Sequence, residues 1–145
     1  MKIMTKYHGE LQADEKELWH FPKGIPGFPD EKKFLLYPLA DNEIFSILQS
    51  AAHPDIAFVA ASPFSFFRDY EFTLDESAIA ILGVEDAHDV LPLVILTLGE
   101  SLESSTTNLQ APIILNVKNR QGKQVILHDA PYHTKHTINE KVGQG

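Results

Sequence analysis

Apolar residues fall along the chain in short runs rather than in long helical stripes. "ELWHF", "FLLYPL", "FSILQSA", "IAFVAAS", "DYEFTL", "LPLVILTL", "PIILNV" and "KQVILHD" are rich in β-branched and aromatic side chains, and Pro, Gly, Asn and Asp separate them at short spacing. Eight such runs predict an all-β fold, a barrel or a sandwich, of about eight short strands with one or two short helices. "IAFVA" and "PIILNV" are apolar on both sides and are placed inside; "FSILQS" alternates loosely and is expected to keep a wet face. "NVKNRQGKQV" reads as a hairpin whose four-residue turn is Asn119, Arg120, Gln121 and Gly122. "TLDESAIAILG" breaks the pattern. Thr73 and Glu76 have capping-box spacing, Leu74, Ala78, Ile81 and Leu82 share one helical face, and Gly83 sits where a helix ends.

Composition agrees with one small domain. The chain has 145 residues, of which 43% are apolar and 22% charged, close to an average globular protein. The longest apolar run, "VLPLVILTL", is well short of the roughly 18 residues of a membrane helix, and "MKIMTKYHGE" lacks a signal-peptide core, so a cytoplasmic protein is expected. Cysteine is absent, which excludes disulfides, thiolate catalysis and Cys-based zinc sites.

Charge is distributed unevenly. Residues 51–110 carry ten acids against Arg68 alone, a net of −9, within a chain of net charge −8. Such a surface repels phosphate backbones, so direct RNA or DNA binding is not expected; the acids either keep the protein soluble or face a basic partner.

Candidate chemistry is sparse. His133 and His136 in "HTKH" have helical metal-ligand spacing but no accompanying carboxylate motif, and are read as solvated tail histidines. His88-Asp89 and His128-Asp129 come with no marked nucleophile, "SSTT" at 104–107 reads as a polar turn, and no metal or cofactor is called for. The loop "FPKGIPGFPD" is rigid and apolar: Gly24 and Gly27 allow tight turns, Pro22, Pro26 and Pro29 fix φ, and Phe21 and Phe28 are read as plugging one end of the barrel. A second cluster, "SPFSFFRDY", puts Phe64, Phe66, Phe67 and Tyr70 within seven residues. Four large rings exceed what one inward face holds, so at least one is expected to be an exposed anchor of a protein interface.

The blocks "FPKGIPGF", "ILQSAAHPDIAFVAASPFSFFRDYEF" and "TTNLQAPIILNVKNRQGKQVIL", in that order, resemble the FliW family over nearly everything from Tyr7 to about His136. The resemblance implies a small single-domain β-barrel-like cytoplasmic protein, monomeric and non-enzymatic, spanning residues 1–136 with 137–145 as a mobile C-terminal tail. It further implies two alternating partners, flagellin and the RNA-binding translational repressor CsrA. Flagellin holds the protein until export; the freed protein then binds CsrA and relieves repression of flagellin synthesis. An RNA-binding protein is basic, so the acids flanking the aromatic cluster, Asp69, Glu71, Asp75 and Glu76, join Phe64, Phe66, Phe67 and Tyr70 as expected partner-binding residues. Glu85, Asp86 and Asp89 come second, and Lys23 and Ile25 are expected at a binding rim. The alternative is a small ligand-binding barrel, with Asn108, Gln110 and Asn116 as its modest polar candidates.

Overall fold

The computed structural model describes residues 1–39, 44–101, 104–128 and 130–138. The chain opens with a hairpin, β1 (Lys2–Thr5) and β2 (Gly9–Gln12), in which Ile3 faces Leu11. There follow β3 (Trp19–His20), β4 (Lys33–Pro38), β5 (Phe45–Ser50), β6 (Ala57–Ala61), helix α1 (Glu76–Leu82), β7 (Val90–Thr97), β8 (Thr106–Thr107), β9 (Ile113–Asn116), β10 (Gln121–Gln124) and β11 (His136–Thr137). Strands pair in the order β11-β8-β7-β6-β5-β4-β3-β10-β9, and β9 pairs back onto β7, which closes β7-β6-β5-β4-β3-β10-β9 into a ring. The ring is antiparallel except where β10 meets β3.

Register identifies the inside of the ring. Leu36 faces Leu48, Leu48 faces Phe58, Ala60 faces Ile95, and Leu93 and Leu91 face Ile113 and Leu115. These residues pack in one cluster with Trp19, Phe21, Ile25 and Phe34, drawn from both sides of the ring, so they fill its interior. Two further clusters cover the outer face. One lies under the β1–β2 hairpin, with Ile3, Leu35, Tyr37, Ile47 and Val59; the other lies under α1 and residues 67–74, 125–127 and 130–132. No described helix is long and apolar enough to cross a membrane.

The proline-rich loop is the plug of this ring. Phe21 is fully buried, edge-on to Phe34 at 5.1 Å, and its ring fills the space that a side chain at Gly122 would need. Ile25 and Phe28 exchange main-chain hydrogen bonds around Pro26 and Gly27, whose φ of 90° is the left-handed position of a type II turn. Ile25 is only 3% exposed and belongs to the interior cluster, which corrects its expected place at a binding rim; Lys23 is exposed. Phe28 is partly exposed and rests on Phe58.

Several local expectations are corrected. β5 has no wet face: Gln49 and Ser50 are buried, because Gln49 Nε2 donates to the carbonyls of Ser50, His53, Pro54 and Ile56 while its Oε1 accepts the Lys6 N–H. "DYEFTL" is not a strand. The β9–β10 turn is residues 117–120, two positions earlier than expected, since Asn116 and Gln121 form the closing pair and Arg120 takes φ 62° with its guanidinium 3.8 Å from the Trp19 ring centre. Helix α1 is capped by Asp75, whose Oδ1 accepts the Ala78 N–H at 2.7 Å, rather than by a Thr73–Glu76 box. Its end is as expected: Gly83 has φ 65°, and the Gly83 and Val84 N–H groups return to Ala80 and Ile79. Thr106 and Thr107 form β8 rather than a turn. His136 is a buried strand residue opposite Thr107, stacked on His133 at 5.1 Å, which corrects its reading as a solvated tail histidine, and Ile138 packs in the outer core. Residues 139–145 and Asp129 lie outside the described residues.

Candidate functional site: an acid-flanked groove

The aromatic cluster begins where β6 ends. Pro63 starts a 3-10 turn, Pro63–Ser65, and the Phe67 and Tyr70 N–H groups bond back to the carbonyls of Pro63 and Phe67, which winds the four rings in different directions. Phe67 and Tyr70 are 5% and 4% exposed and belong to the outer core under α1, which corrects their expected role as direct contacts. Phe66 is half-buried and stacks on Phe45. Phe64 is the exposed ring, 43% accessible and edge-on to Tyr70 at 6.1 Å. The expectation of at least one exposed aromatic therefore fits Phe64.

Tyr70 connects this cluster to the C-terminal part of the chain. Its hydroxyl donates to the Leu109 carbonyl at 2.8 Å, and its ring packs against Tyr132 at 4.6 Å. Burial pushes the Tyr70 phenol well above the ordinary tyrosine value, with the neighbouring Tyr132 adding to the shift, so the hydroxyl stays a donor. Tyr132 in turn accepts the Glu71 N–H at 2.9 Å. These contacts hold residues 69–75 beside residues 125–128 and 130–132 as the walls of an open groove of about 740 Å³.

One wall carries Asp69, Glu71 and Asp75, with Phe72 and Leu74 half-buried between them; the other carries Ile126, His128 and Pro131. Three of the four acids expected to flank the aromatic cluster are thus brought to one concavity. Glu76, the first residue of α1, is exposed but does not line it. Asp75 divides its carboxylate between groove and helix cap. Two of the three second-rank acids are locally engaged: Asp86 accepts the His88 N–H, which lowers its pKa, and pairs with the His88 ring, while Glu85 approaches Lys118 at 3.7 Å.

The polar residues considered for a ligand-binding barrel serve their own backbone. Asn108 Oδ1 accepts the N–H groups of Gln110 and Ala111, and Asn116 Nδ2 donates to the Leu82 carbonyl at 2.9 Å. A Ser, His and Glu do meet at the end of β5, but Ser50 Oγ donates to the buried Glu31 carboxylate at 2.5 Å rather than to an imidazole. His53 Nδ1 contacts that same carboxylate, and Ser50 Oγ accepts the Ala52 and His53 N–H groups. This arrangement ties a turn; it is not the geometry of an activated nucleophile.

No motif in the sequence marks the far wall as part of a site. "KQVILHD" does show that Ile126 lies between two residues of opposite facing, and such alternation marks 126 as outward wherever 125 and 127 are core. Nothing in the residues around Tyr132 announces its partnership with Tyr70, which is separated from it by most of the second half of the fold.

A family model described as FliW protein matches residues 2–138. The chain is 52% identical over 138 residues to the flagellar assembly factor FliW of Bacillus pumilus, covering 95% of this chain and 96% of that one. It is 49% identical to that of Bacillus subtilis over the same coverage. It is also 49% identical to that of a Geobacillus species over 145 residues, covering 99% and 100%. A crystal structure of the flagellar assembly factor FliW superposes with a TM-score of 0.92 at 44% identity, covering 98% of this chain and 99% of that chain. With sequence and strand ring agreeing over nearly the whole length, the chain belongs to the FliW family.

Proposed function

We propose that this chain is a cytoplasmic flagellar assembly factor that acts by binding and not by catalysis. Flagellin holds it; when flagellin leaves, the free protein binds CsrA and relieves the repression of flagellin synthesis. The observation that carries the reading is the family match over residues 2–138 together with relatives named as flagellar assembly factors. The acid-flanked groove beside Phe64 supports it physically. An exposed ring supplies an apolar anchor, and Asp69, Glu71 and Asp75 supply a potential that draws in a basic protein and opposes RNA held by it. If docking weakens RNA binding by CsrA, RNA weakens docking by the same factor, about 5- to 150-fold for couplings of ordinary size. Calorimetric titration with purified flagellin and with CsrA tests the reading: saturable heat with each at micromolar concentration is expected, and no heat with either contradicts it.

A further inference from the structure

The groove contains main chain that the fold does not use. Val125 and Leu127 aim their N–H groups at the carbonyls of Pro112 and Gln110, at 3.0 and 2.7 Å, so residues 125–127 prolong the β9–β10 ladder past the end of β10. Successive amides of an extended chain point to opposite edges, which turns the N–H and C=O of Ile126 toward the groove. Neither group has a hydrogen-bond partner among the described residues, and the same is true of the main chain of Phe72, Thr73 and Leu74 on the facing wall. The Ile126 side chain stands 52% exposed between two buried neighbours. Three carboxylates, and no Lys or Arg, line the same space.

We infer that this groove accepts an extended, lysine- or arginine-bearing segment of a protein partner, added as a strand along Ile126. Main-chain pairing with an open edge supplies affinity for any extended peptide, and pockets for alternate side chains supply selectivity. Here Asp69, Glu71 and Asp75 favour cationic side chains on the incoming segment. They also oppose edge-to-edge pairing with a second copy of this chain, whose net charge is −8 and whose edge carries the same acids. The inference deepens the binding reading above by assigning a mode of contact, and it rests on that reading for the partner being a protein.

The test uses a capped peptide of alternating lysine and valine titrated into isotope-labelled protein, followed by amide chemical shifts. Shifts are expected at Ile126 and its neighbours. Binding should weaken at least about tenfold when glutamate replaces lysine, and by a similar factor for at least one of the two alternately N-methylated peptides, since lost pairing of a few hydrogen bonds is worth about that much. Ile126→Pro, which removes the edge N–H, should bind at least about tenfold more weakly, whereas Ile126→Ala should stay within about threefold. Shifts confined to other surfaces, no shifts at millimolar peptide, or both N-methylated forms binding as tightly as the unmethylated peptide overturns the inference; the peptide comparison on wild-type protein holds even if the proline variant folds poorly. Flagellin and CsrA are titrated in parallel. Partners that bind wild type and a folded Ile126→Pro equally well overturn the strand-addition mode and leave the assembly-factor reading standing. A peptide that pairs along Ile126 while neither partner binds wild type supports the groove and overturns that reading.

Discussion

The rings of Tyr70 and Tyr132 lie 4.6 Å apart, and their hydroxyls serve different main-chain groups: Tyr70 donates to the Leu109 carbonyl and Tyr132 accepts the Glu71 N–H. One aromatic pair therefore fixes both walls of the groove to the outer core. Buried residues thereby set the spacing between the exposed acids of one wall and Ile126 on the other.

Tyr70→Phe leaves the Leu109 carbonyl unpaired in the interior and should cost about 1 to 3 kcal/mol by urea denaturation. It should also change the alkaline limb of stability. Burial raises the Tyr70 phenol in the folded state, so the proton is held more tightly there than in the unfolded chain. The resulting stabilisation is complete below the ordinary tyrosine value near 10 and is lost as pH rises above it. Wild-type protein should lose stability above that pH more steeply than Tyr70→Phe, as read from denaturation midpoints at graded pH.

The exposed and buried members of the aromatic cluster should separate cleanly. Phe64→Ala should change folding stability by no more than about 0.5 kcal/mol yet weaken partner binding by about 2 kcal/mol, whereas Phe67→Ala should lose about 3 to 5 kcal/mol of stability through a core cavity. Thermal melts beside calorimetric titrations check both. Equal losses of stability in the two variants would place Phe64 in the core.

In the plug loop, glycine is required for two different reasons. A Cβ at Gly24 would lie 2.5 Å from the Pro29 carbonyl oxygen with φ 65°, so Gly24→Ala should cost about 2 kcal/mol or more. Gly27 has φ 90° but open space around its missing Cβ, so Gly27→Ala should cost only the backbone strain, about 1 kcal/mol. Denaturation midpoints of the two variants give the ranking directly.

What the sequence discloses follows from how each residue's polarity is used. β4, β6, β7 and β9 are legible because their apolar runs are buried on one or both faces and end at turn residues. The β1–β2 hairpin shows no apolar run because only Ile3 and Thr5 are buried in it, while Met4 lies exposed on its outer face among polar residues. "DYEFTL" alternates like a strand, with Tyr70, Phe72 and Leu74 turned toward the core, yet among the described residues no strand pairs with it and it forms a groove wall instead. Thr73 and Asp75 are both competent caps, and the choice between them is made by which side chain meets the Ala78 N–H. The acids were identifiable as a group from charge alone. That Ile126 and Tyr132 would face them depends on contacts distant in sequence, which no local pattern encodes.

The acids around the groove are expected to act on a basic partner. Asp69→Asn, Glu71→Gln, Asp75→Asn and Glu76→Gln combined keep the shape of the surface; Asn at 75 also keeps the helix cap, which Ala would forfeit at about 1 kcal/mol. The decisive measurement is the association rate of this fourfold variant with CsrA by stopped flow across a salt series, beside wild type. Because rim charges steer encounter, a slower on-rate at low salt, a flatter salt dependence, a smaller change in off-rate and weaker release of RNA from CsrA are expected. A variant that associates at the wild-type rate at low salt and releases RNA equally well would contradict it, and would leave these acids as aids to solubility.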